Sequence, residues 1–291
     1  MGVGSFTDAA FRCVIAAITA FMFSSVVDAA EYDAFVINKG PIQMGSVEKL
    51  NQAGIGPELI GGKEAKSTEW PASFYSAQAG ARCTATLIGP TALLLAAHCV
   101  GDGQLAAIEF REKALSGPCK HAEGYHGGAG DLSADYALCR LTEAADGIKY
   151  ERLNQDPSKL VQEAKLLLTG FGCTIPPPPT GGPPSGGNDG KFRIGQARIA
   201  KLPGTEPGEP NTVVTRDQVI VCPGDSGGGA YIQRIDGSRV LAAVNSRTLY
   251  KQGESLLSSV TSSAAVAFIK DWMKDNPDQK VCGINFGAAC K

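Results

Sequence analysis

The stretch Gly224-Asp225-Ser226-Gly227-Gly228 carries the strongest chemical signal in this chain of 291 residues. A serine hydroxyl is a poor nucleophile unless a base removes its proton, and the oxyanion that then develops needs fixed N–H donors. Glycines around Ser226 let the backbone direct the N–H groups of Gly224 and Ser226 towards one point. The stretch therefore predicts a reactive serine beside an oxyanion hole.

The order of histidine, acid and serine along the chain separates the known serine arrangements. The Gly-x-Ser-x-Gly pattern also occurs in α/β-hydrolases, whose histidine follows the serine. Here all three histidines, His98, His121 and His126, precede Ser226, which excludes that fold. The order acid, histidine, serine fails as well, because every aspartate before His98 lies within the first 33 residues, in the predicted signal or leader.

The remaining order is histidine, acid, serine. His98 ends the apolar run Leu-Ala-Ala-His at 95–98, and Asp135 begins another apolar run, Asp-Tyr-Ala-Leu at 135–138. Asp131 is an alternative acid, but it lies in a glycine-rich loop with no strand pattern after it. We therefore select His98, Asp135 and Ser226 as the candidate catalytic residues.

Four short motifs follow one another between residues 59 and 228. They are Leu-Ile-Gly-Gly at 59–62, Cys-Thr-Ala-Thr-Leu-Ile at 83–88 with Ala-Ala-His-Cys at 96–99, Thr-Gly-Phe-Gly at 169–172, and the serine stretch. Together they resemble the trypsin/chymotrypsin family of serine endopeptidases from residue 59 to about residue 274. The resemblance implies an all-β fold with two six-stranded antiparallel β-barrels (chymotrypsin-like), a C-terminal α-helix and a peptidase domain at 59–280.

The resemblance also implies the roles of the candidate residues. Ser226 would attack the scissile carbonyl, His98 would accept its proton and return it to the leaving amine, and Asp135 would hold the imidazole tautomer. The N–H groups of Gly224 and Ser226 would form the oxyanion hole. No cofactor or metal is expected. Gly229 stands where the family usually has proline, which is a minor departure.

Leu59 and Asp225 are the residues that the resemblance implies for activation. In the family, the acid beside the serine pairs with the ammonium of a newly cut N-terminus, since a buried unpaired carboxylate is costly. Here that ammonium would lie on Leu59 after cleavage of the Glu58–Leu59 bond. Most family members have a basic residue before this bond, so glutamate indicates a different maturation enzyme or self-cleavage by an enzyme that accepts glutamate.

The expected specificity pocket departs from that of trypsin. The pocket-floor position, six residues before the serine, falls on Ile220, where trypsin-type members have aspartate, so a strong preference for arginine or lysine is not expected. The resemblance places the pocket wall at Val244, Asn245, Ser246 and Arg247. Either Asn245 or Ser246 takes the place of the family's conserved strand serine. Arg247 obstructs the pocket, favours an acidic side chain or lies solvated at the rim.

The N-terminal region is typical of an exported protein. Arg12 precedes an apolar run at 13–27, which has the length of a signal-peptide core, and small residues at 29–30 offer a cleavage site. We therefore predict a signal peptide at 1–29, a turn-rich propeptide or leader at 30–58, and a secreted or periplasmic protein without a membrane span.

Nine cysteines fit this compartment, and eight remain once Cys13 leaves with the signal peptide. Family resemblance supports Cys83–Cys99 directly and suggests Cys173–Cys222. A Cys119–Cys139 disulfide is favoured over a zinc site that those cysteines would form with His121 and His126. Cys282 and Cys290 then remain for a disulfide in the C-terminal tail at 281–291.

Periodicity predicts mainly short strands. Apolar runs between turns suggest strands at 83–88, 92–97, 136–141, 165–169, 191–199, 218–221 and 239–244. Residues 174–190 are rich in proline and glycine and predict a mobile surface loop. One helical face, capped by Ser262 or Ser263 and ended by Asn276-Pro277, comprises Ala265, Phe268, Ile269, Trp272 and Met273.

Composition limits the partners. Lysine and arginine number 27 against 29 acidic residues, a net charge of −2, which argues against a nucleic-acid binder. A polypeptide substrate is the expected partner, a protein inhibitor is a further candidate, and a monomer without nucleic acid or membrane contact is expected. The alternative function is a catalytically weak or inactive protein of the same fold that acts as a binding module.

Overall fold

The computed structural model describes residues 59–78, 81–127, 129–178, 180–187, 189–287 and 289–291. The predicted signal peptide and leader, 1–58, lie outside the described residues. The regular elements are β1 (Lys63–Glu64), β2 (Ser73–Gln78), β3 (Ala81–Leu87), β4 (Ala92–Leu95), β5 (Leu105–Phe110), β6 (Lys113–His121), β7 (Tyr125–His126), β8 (Ala129–Gly130), β9 (Ala137–Arg140), β10 (Lys165–Gly170), β11 (Arg193–Lys201), β12 (Thr212–Arg216), β13 (Gly229–Gln233), β14 (Arg239–Leu249), β15 (Glu254–Ser259) and α1 (Ser263–Asp275).

Two antiparallel barrels account for most strands. The first barrel has the strand order β2-β3-β4-β9-β6-β5 and is nearly closed, with the Ser76 hydroxyl 3.4 Å from the carbonyl oxygen of Ala107 across the gap. The second has the order β11-β10-β13-β14-β15-β12, closes through β11–β12, and takes β1 as an extra strand on β11. The predicted fold of two six-stranded barrels with a C-terminal helix is confirmed.

Each barrel has its own apolar interior. Leucines of β4 fill the first barrel, and residues of β10, β11 and β12 fill the second. Closing a sheet into a barrel leaves few unpaired strand edges, which suits a protein built from many short strands. The strand ends and connecting loops between the two barrels are then free to carry a site.

The C-terminal helix follows its predicted pattern. Ser262 is the N-cap, and its hydroxyl accepts a hydrogen bond from the N–H of Ala265 at 3.2 Å. Ala265, Ile269 and Trp272 are buried against the first-barrel core. Among the described residues, no helix is long and apolar enough to cross a membrane.

One predicted strand is absent, and the predicted loop at 174–190 contains an internal pair. Residues 218–221 form no strand, because only Ile220 pairs, in a single bridge with Ile60. The described part of 174–190 contains neither helix nor strand, as expected, but Ile175 and Ser185 pair across it. The segment is thus a loop folded back on itself at the surface.

Four disulfides join the cysteines in the expected pairs: Cys83–Cys99, Cys119–Cys139, Cys173–Cys222 and Cys282–Cys290. Because Cys119 and Cys139 are bonded to each other, their sulfurs are not available as thiolates, and the alternative zinc site is excluded. The same holds for a cluster of Cys83, Cys99 and His98, whose two sulfurs form one disulfide.

Candidate active site

Strand pairing brings His98 and Asp135 together. His98 lies just after β4, and Asp135 lies just before β9. The two strands run antiparallel with Leu95 opposite Ala137, so the end of one meets the start of the other. Two separate segments of the first barrel therefore deliver an imidazole and a carboxylate to the same point.

The contacts between these side chains are short and specific. His98 Nδ1 lies 2.7 Å from Asp135 Oδ2, and the backbone N–H of His98 donates to Asp135 Oδ1 at 2.9 Å. The Ser246 hydroxyl donates to Asp135 Oδ2 at 2.5 Å. Burial alone would raise the pKa of Asp135, but the hydrogen bonds and charge of His98 and the Ser246 bond hold it below its ordinary value. The acid is therefore held ionised beside the imidazole.

Asp131, the alternative acid, has a different role. Its Oδ1 accepts the backbone N–H of Ser133 at 2.8 Å and caps the short turn at 132–134. Among the described residues, Asp131 makes no contact with His98. His121 Nε2 contacts the carbonyl oxygen of Val100 at 2.6 Å and is likewise a structural group.

The serine loop is shaped by glycines and anchored to the first barrel. Gly224 and Gly227 have φ angles of 106° and 83°, which favour glycine. Thr84 of β3 holds the loop twice: its N–H donates to the carbonyl oxygen of Ser226 at 2.7 Å, and its hydroxyl donates to that of Gly224 at 2.8 Å. The N–H groups of Gly224 and Ser226 have no hydrogen-bond acceptor among the described residues, so both remain available to a ligand.

Asp225 is part of this loop, and its side chain is fully buried. Its two carboxylate oxygens accept the N–H groups of Gly172 at 2.8 Å and Cys222 at 2.9 Å. Burial raises the pKa of Asp225 to about 7, although these two bonds and the charge of Arg193 pull it down. Leu59 is also fully buried, within the core of the second barrel.

His98 and Ser226 line one cleft of about 730 Å³. Its wall also includes the Cys173–Cys222 disulfide and apolar and hydroxyl side chains that belong to none of the sequence motifs. No aspartate or glutamate is among its described lining residues, which are Arg82, Cys83, His98, Cys173, Pro184, Val221, Cys222, Pro223, Gly224, Ser226, Ser246, Arg247, Thr248, Leu249, Tyr250 and Leu256.

The predicted pocket residues need correction. Only Ser246 and Arg247 line this cleft; Ile220, Val244 and Asn245 do not. Ile220 pairs with Ile60, Val244 is buried in the core, and the Asn245 side chain donates to the carbonyl oxygens of Thr169 and Asp225.

Ser246 and Arg247 resolve two points that the sequence leaves open. Ser246, not Asn245, donates to Asp135 and so takes the place of the strand serine. Arg247 lies in the cleft wall and binds Glu209 through two hydrogen bonds, Nη1–Oε1 at 3.0 Å and Nη2–Oε2 at 2.7 Å. Its charge is thus compensated by the chain itself.

Comparison with known proteins assigns the chain to a family. The trypsin family model matches residues 59–273. The chain belongs to the trypsin family. Among solved structures, this trypsin-family chain is similar to one titled "Structure of Glu endopeptidase in complex with MPD", with a TM-score of 0.54 and 13% identity over 73% of this chain and 96% of that one. No curated protein matches it.

Proposed function

We propose that this trypsin-family protein is an exported serine endopeptidase that cleaves peptide bonds through an acyl-enzyme. The observation that carries the proposal is the 2.7 Å contact between His98 Nδ1 and Asp135 Oδ2 in a cleft that Ser226 also lines. Because Nδ1 faces the carboxylate, the other ring nitrogen, Nε2, is left to accept the serine proton.

The reaction follows from these positions. The Ser226 Oγ forms a bond to the scissile carbonyl carbon while its proton passes to His98 Nε2, and the negative charge moves to the carbonyl oxygen. The N–H groups of Gly224 and Ser226 stabilise that oxyanion, and each such donor is typically worth about 3–4 kcal/mol. As the C–N bond breaks, His98 returns the proton to the leaving amine. Water then repeats the sequence and releases the acid.

Asp135 contributes by charge and orientation. Held ionised by its hydrogen bonds, it fixes the proton on Nδ1 and stabilises the imidazolium that forms during each step. Ser246 positions this carboxylate from the second barrel. The two barrels thus act as one site, since neither supplies all the groups.

Activation is proposed to require cleavage before Leu59. A new ammonium at Leu59 would pair with Asp225, whose carboxylate is buried and adjoins the serine loop. N-terminal sequencing of active protein should then read Leu-Ile-Gly-Gly. Full activity with the leader still attached would contradict this route.

Glu58 raises the question of self-cleavage. Peptides with glutamate, leucine or arginine before the scissile bond would decide whether the enzyme accepts its own activation sequence. If it does, the Ser226→Ala precursor should stay uncut while the wild type matures. An absence of any glutamate cleavage would leave maturation to another protease.

The four disulfides support an oxidising compartment, either extracellular or periplasmic. They agree with the predicted signal peptide. A peptidase domain at 59–280, followed by a disulfide-bonded tail, remains our proposed division of the mature chain.

A fluorophosphonate probe tests the proposed chemistry against a pure binding module. The matured wild type should become covalently labelled at Ser226, whereas Ser226→Ala should not. Glu143→Gln, an exposed surface variant, is the matched control and should label like the wild type. A folded wild type that resists the probe and cleaves no peptide would favour the binding module.

A further inference from the structure

The charged side chains described in the cleft lining are all basic. The described lining contains two arginines, Arg82 and Arg247, and no carboxylate. The chain as a whole carries a net charge of −2, so this cationic lining does not reflect an overall excess of basic residues. A charged lining of one sign attracts groups of the opposite sign.

The two arginines differ in their partners. Arg247 is held by Glu209 through two hydrogen bonds, and an acidic substrate would have to compete with that internal carboxylate. Arg82 is exposed and forms no ion pair with any residue in the described ranges. The preceding stretch of sequence, Ala-Gln-Ala-Gly-Ala at 77–81, also contains no acid. Among the described residues that line the cleft, Arg82 is therefore the arginine whose charge no carboxylate compensates.

Strand β3 fixes the position of Arg82 relative to Ser226. Arg82 and Thr84 are two residues apart on β3 and so lie on the same face. Thr84 is hydrogen-bonded directly to the Ser226 and Gly224 carbonyl groups. The next residue, Cys83, is tied by its disulfide to Cys99, beside His98.

The contacts of Tyr75 support this position of Arg82 near the serine loop. It lies opposite Thr84 on β2, which makes it a diagonal neighbour of Arg82 on one face of the hairpin. Burial raises the pKa of Tyr75, and the nearby charge of Arg82 partly offsets the effect. The Tyr75 ring also packs against Phe171, with ring centroids 6.0 Å apart. The Arg82 charge thus lies over the face that leads to the serine loop.

The chemistry indicates which part of the substrate lies near Arg82. His98 protonates the leaving amine, so the part of the substrate after the scissile bond must pass on the His98 side. The Cys83–Cys99 disulfide adjoins that side, and Arg82 adjoins Cys83. We propose that Arg82 forms a subsite for an acidic side chain within the first two residues after the scissile bond. This inference rests on the proposed endopeptidase function and names its substrate class.

Matched quenched-fluorescence peptides test the subsite. They share one sequence and carry aspartate, alanine or lysine at the first or second position after the scissile bond. The wild type should cleave the aspartate peptide about three- to tenfold more efficiently than the lysine peptide, in kcat/KM, as expected of one exposed charge pair. The preference should shrink in high salt. Arg82→Gln should abolish it and Arg82→Glu should reverse it.

Arg111→Glu is the matched control, because Arg111 is an exposed arginine outside the cleft lining. It should keep the wild-type ratio. A wild type without acidic preference at either position, or an Arg82→Glu variant that retains it, would overturn the subsite.

A binding measurement separates failure of the subsite from failure of the proposed function. Ser226→Ala protein prepared in the processed form that begins at Leu59 binds peptides without turnover, so fluorescence anisotropy compares its affinity for uncleaved aspartate and lysine peptides. Tighter binding of the aspartate peptide, lost in Ser226→Ala/Arg82→Gln, supports the subsite even if wild type proves inactive. Equal affinities would refute it even if wild type proves an active peptidase.

Discussion

At the scale of single residues, Ser246 has the clearest testable role. Its hydroxyl donates to Asp135 Oδ2 at 2.5 Å, and this bond helps to hold the pKa of Asp135 low. In Ser246→Ala the carboxylate loses one donor, so its pKa should rise and its hold on His98 should weaken. We expect kcat to fall about tenfold, the worth of one hydrogen bond to a charged group.

Comparing the effects on kcat and on KM separates this positioning role from a general loss of stability. KM should change little, and the pKa of the Asp135 carboxyl, followed by NMR, should rise because the carboxylate has lost one donor. Ser258→Ala is the control, since Ser258 is also a buried strand serine but lies outside the cleft lining. Equal effects of both substitutions on kcat, with an unchanged Asp135 pKa, would mean that Ser246 only supports packing.

The sequence could not choose between Asn245 and Ser246 for a physical reason. Strand β14 pairs with β15 with Asn245 opposite Leu257 and Arg247 opposite Leu256, so Ser246 is an extra residue in a β-bulge. Side chains alternate between faces only in a regular strand, and a bulge re-aims the residues on it.

At the scale of elements, the Thr169–Gly172 turn depends on a close approach to the serine loop. A Cβ atom at Gly172 would lie 2.5 Å from Asp225 Cγ, and the Gly172 N–H is itself bonded to that carboxylate. Gly172→Ala should therefore displace Asp225 and disorder the oxyanion loop. We expect at least a hundredfold loss of kcat/KM, the scale of losing one oxyanion donor.

Gly287→Ala is the matched control, because no described atom lies within 4 Å of the position its Cβ would take. Peptide turnover and fluorophosphonate labelling compare the two proteins. Near-normal turnover by Gly172→Ala would show that the loop tolerates a shifted Asp225.

Asp225 gives the precursor a specific pH dependence. Its pKa is raised by burial to about 7, from 3.8, so the folded protein binds a proton that the unfolded chain releases. The contribution of Asp225 to stability is therefore fully present below about pH 4 and falls as the pH rises from about 4 through about 7. Each unit is worth about 1.4 kcal/mol, so between pH 5 and pH 8 the loss should be about 2–3 kcal/mol.

Urea unfolding of the uncut Ser226→Ala precursor measures this loss. Adding Asp225→Asn should remove it, because the amide does not titrate. Processed protein should lose less than the precursor, since a Leu59 ammonium beside Asp225 favours the ionised form. Identical pH slopes with and without Asp225 would contradict the prediction.

Elements differ in how well the sequence predicts them. Helix α1 follows from its period and its Ser262 cap, both of which are local signals. Strand β15, Glu-Ser-Leu-Leu-Ser-Ser at 254–259, is polar in composition yet buried throughout. The Ser255 hydroxyl accepts the N–H of Val221, and the Ser259 hydroxyl bonds to that of Thr261, so two of its polar groups have partners inside the protein. Such a strand has no amphipathic pattern, so only tertiary structure reveals it.

At the scale of the whole molecule, the four disulfides differ in what they constrain. Cys173–Cys222 spans 49 residues and connects the loop before residues 174–190 to the serine loop, whereas Cys282–Cys290 closes only 8 residues in the tail. The chain-entropy relation gives about 4 kcal/mol for the first and about 2.5 kcal/mol for the second. The cleft is lined by the first pair and not by the second.

The two double variants to alanine should therefore separate stability from activity. Loss of Cys282–Cys290 should lower the free energy of unfolding modestly and leave kcat/KM near the wild-type value. Loss of Cys173–Cys222 should cost more stability and also reduce activity, because both the N–H and the carbonyl of Cys222 bond to Asp225. Urea unfolding and active-site titration measure the two effects. Equal stability losses, or full activity without Cys173–Cys222, would mean that this bridge does not hold the serine loop in place.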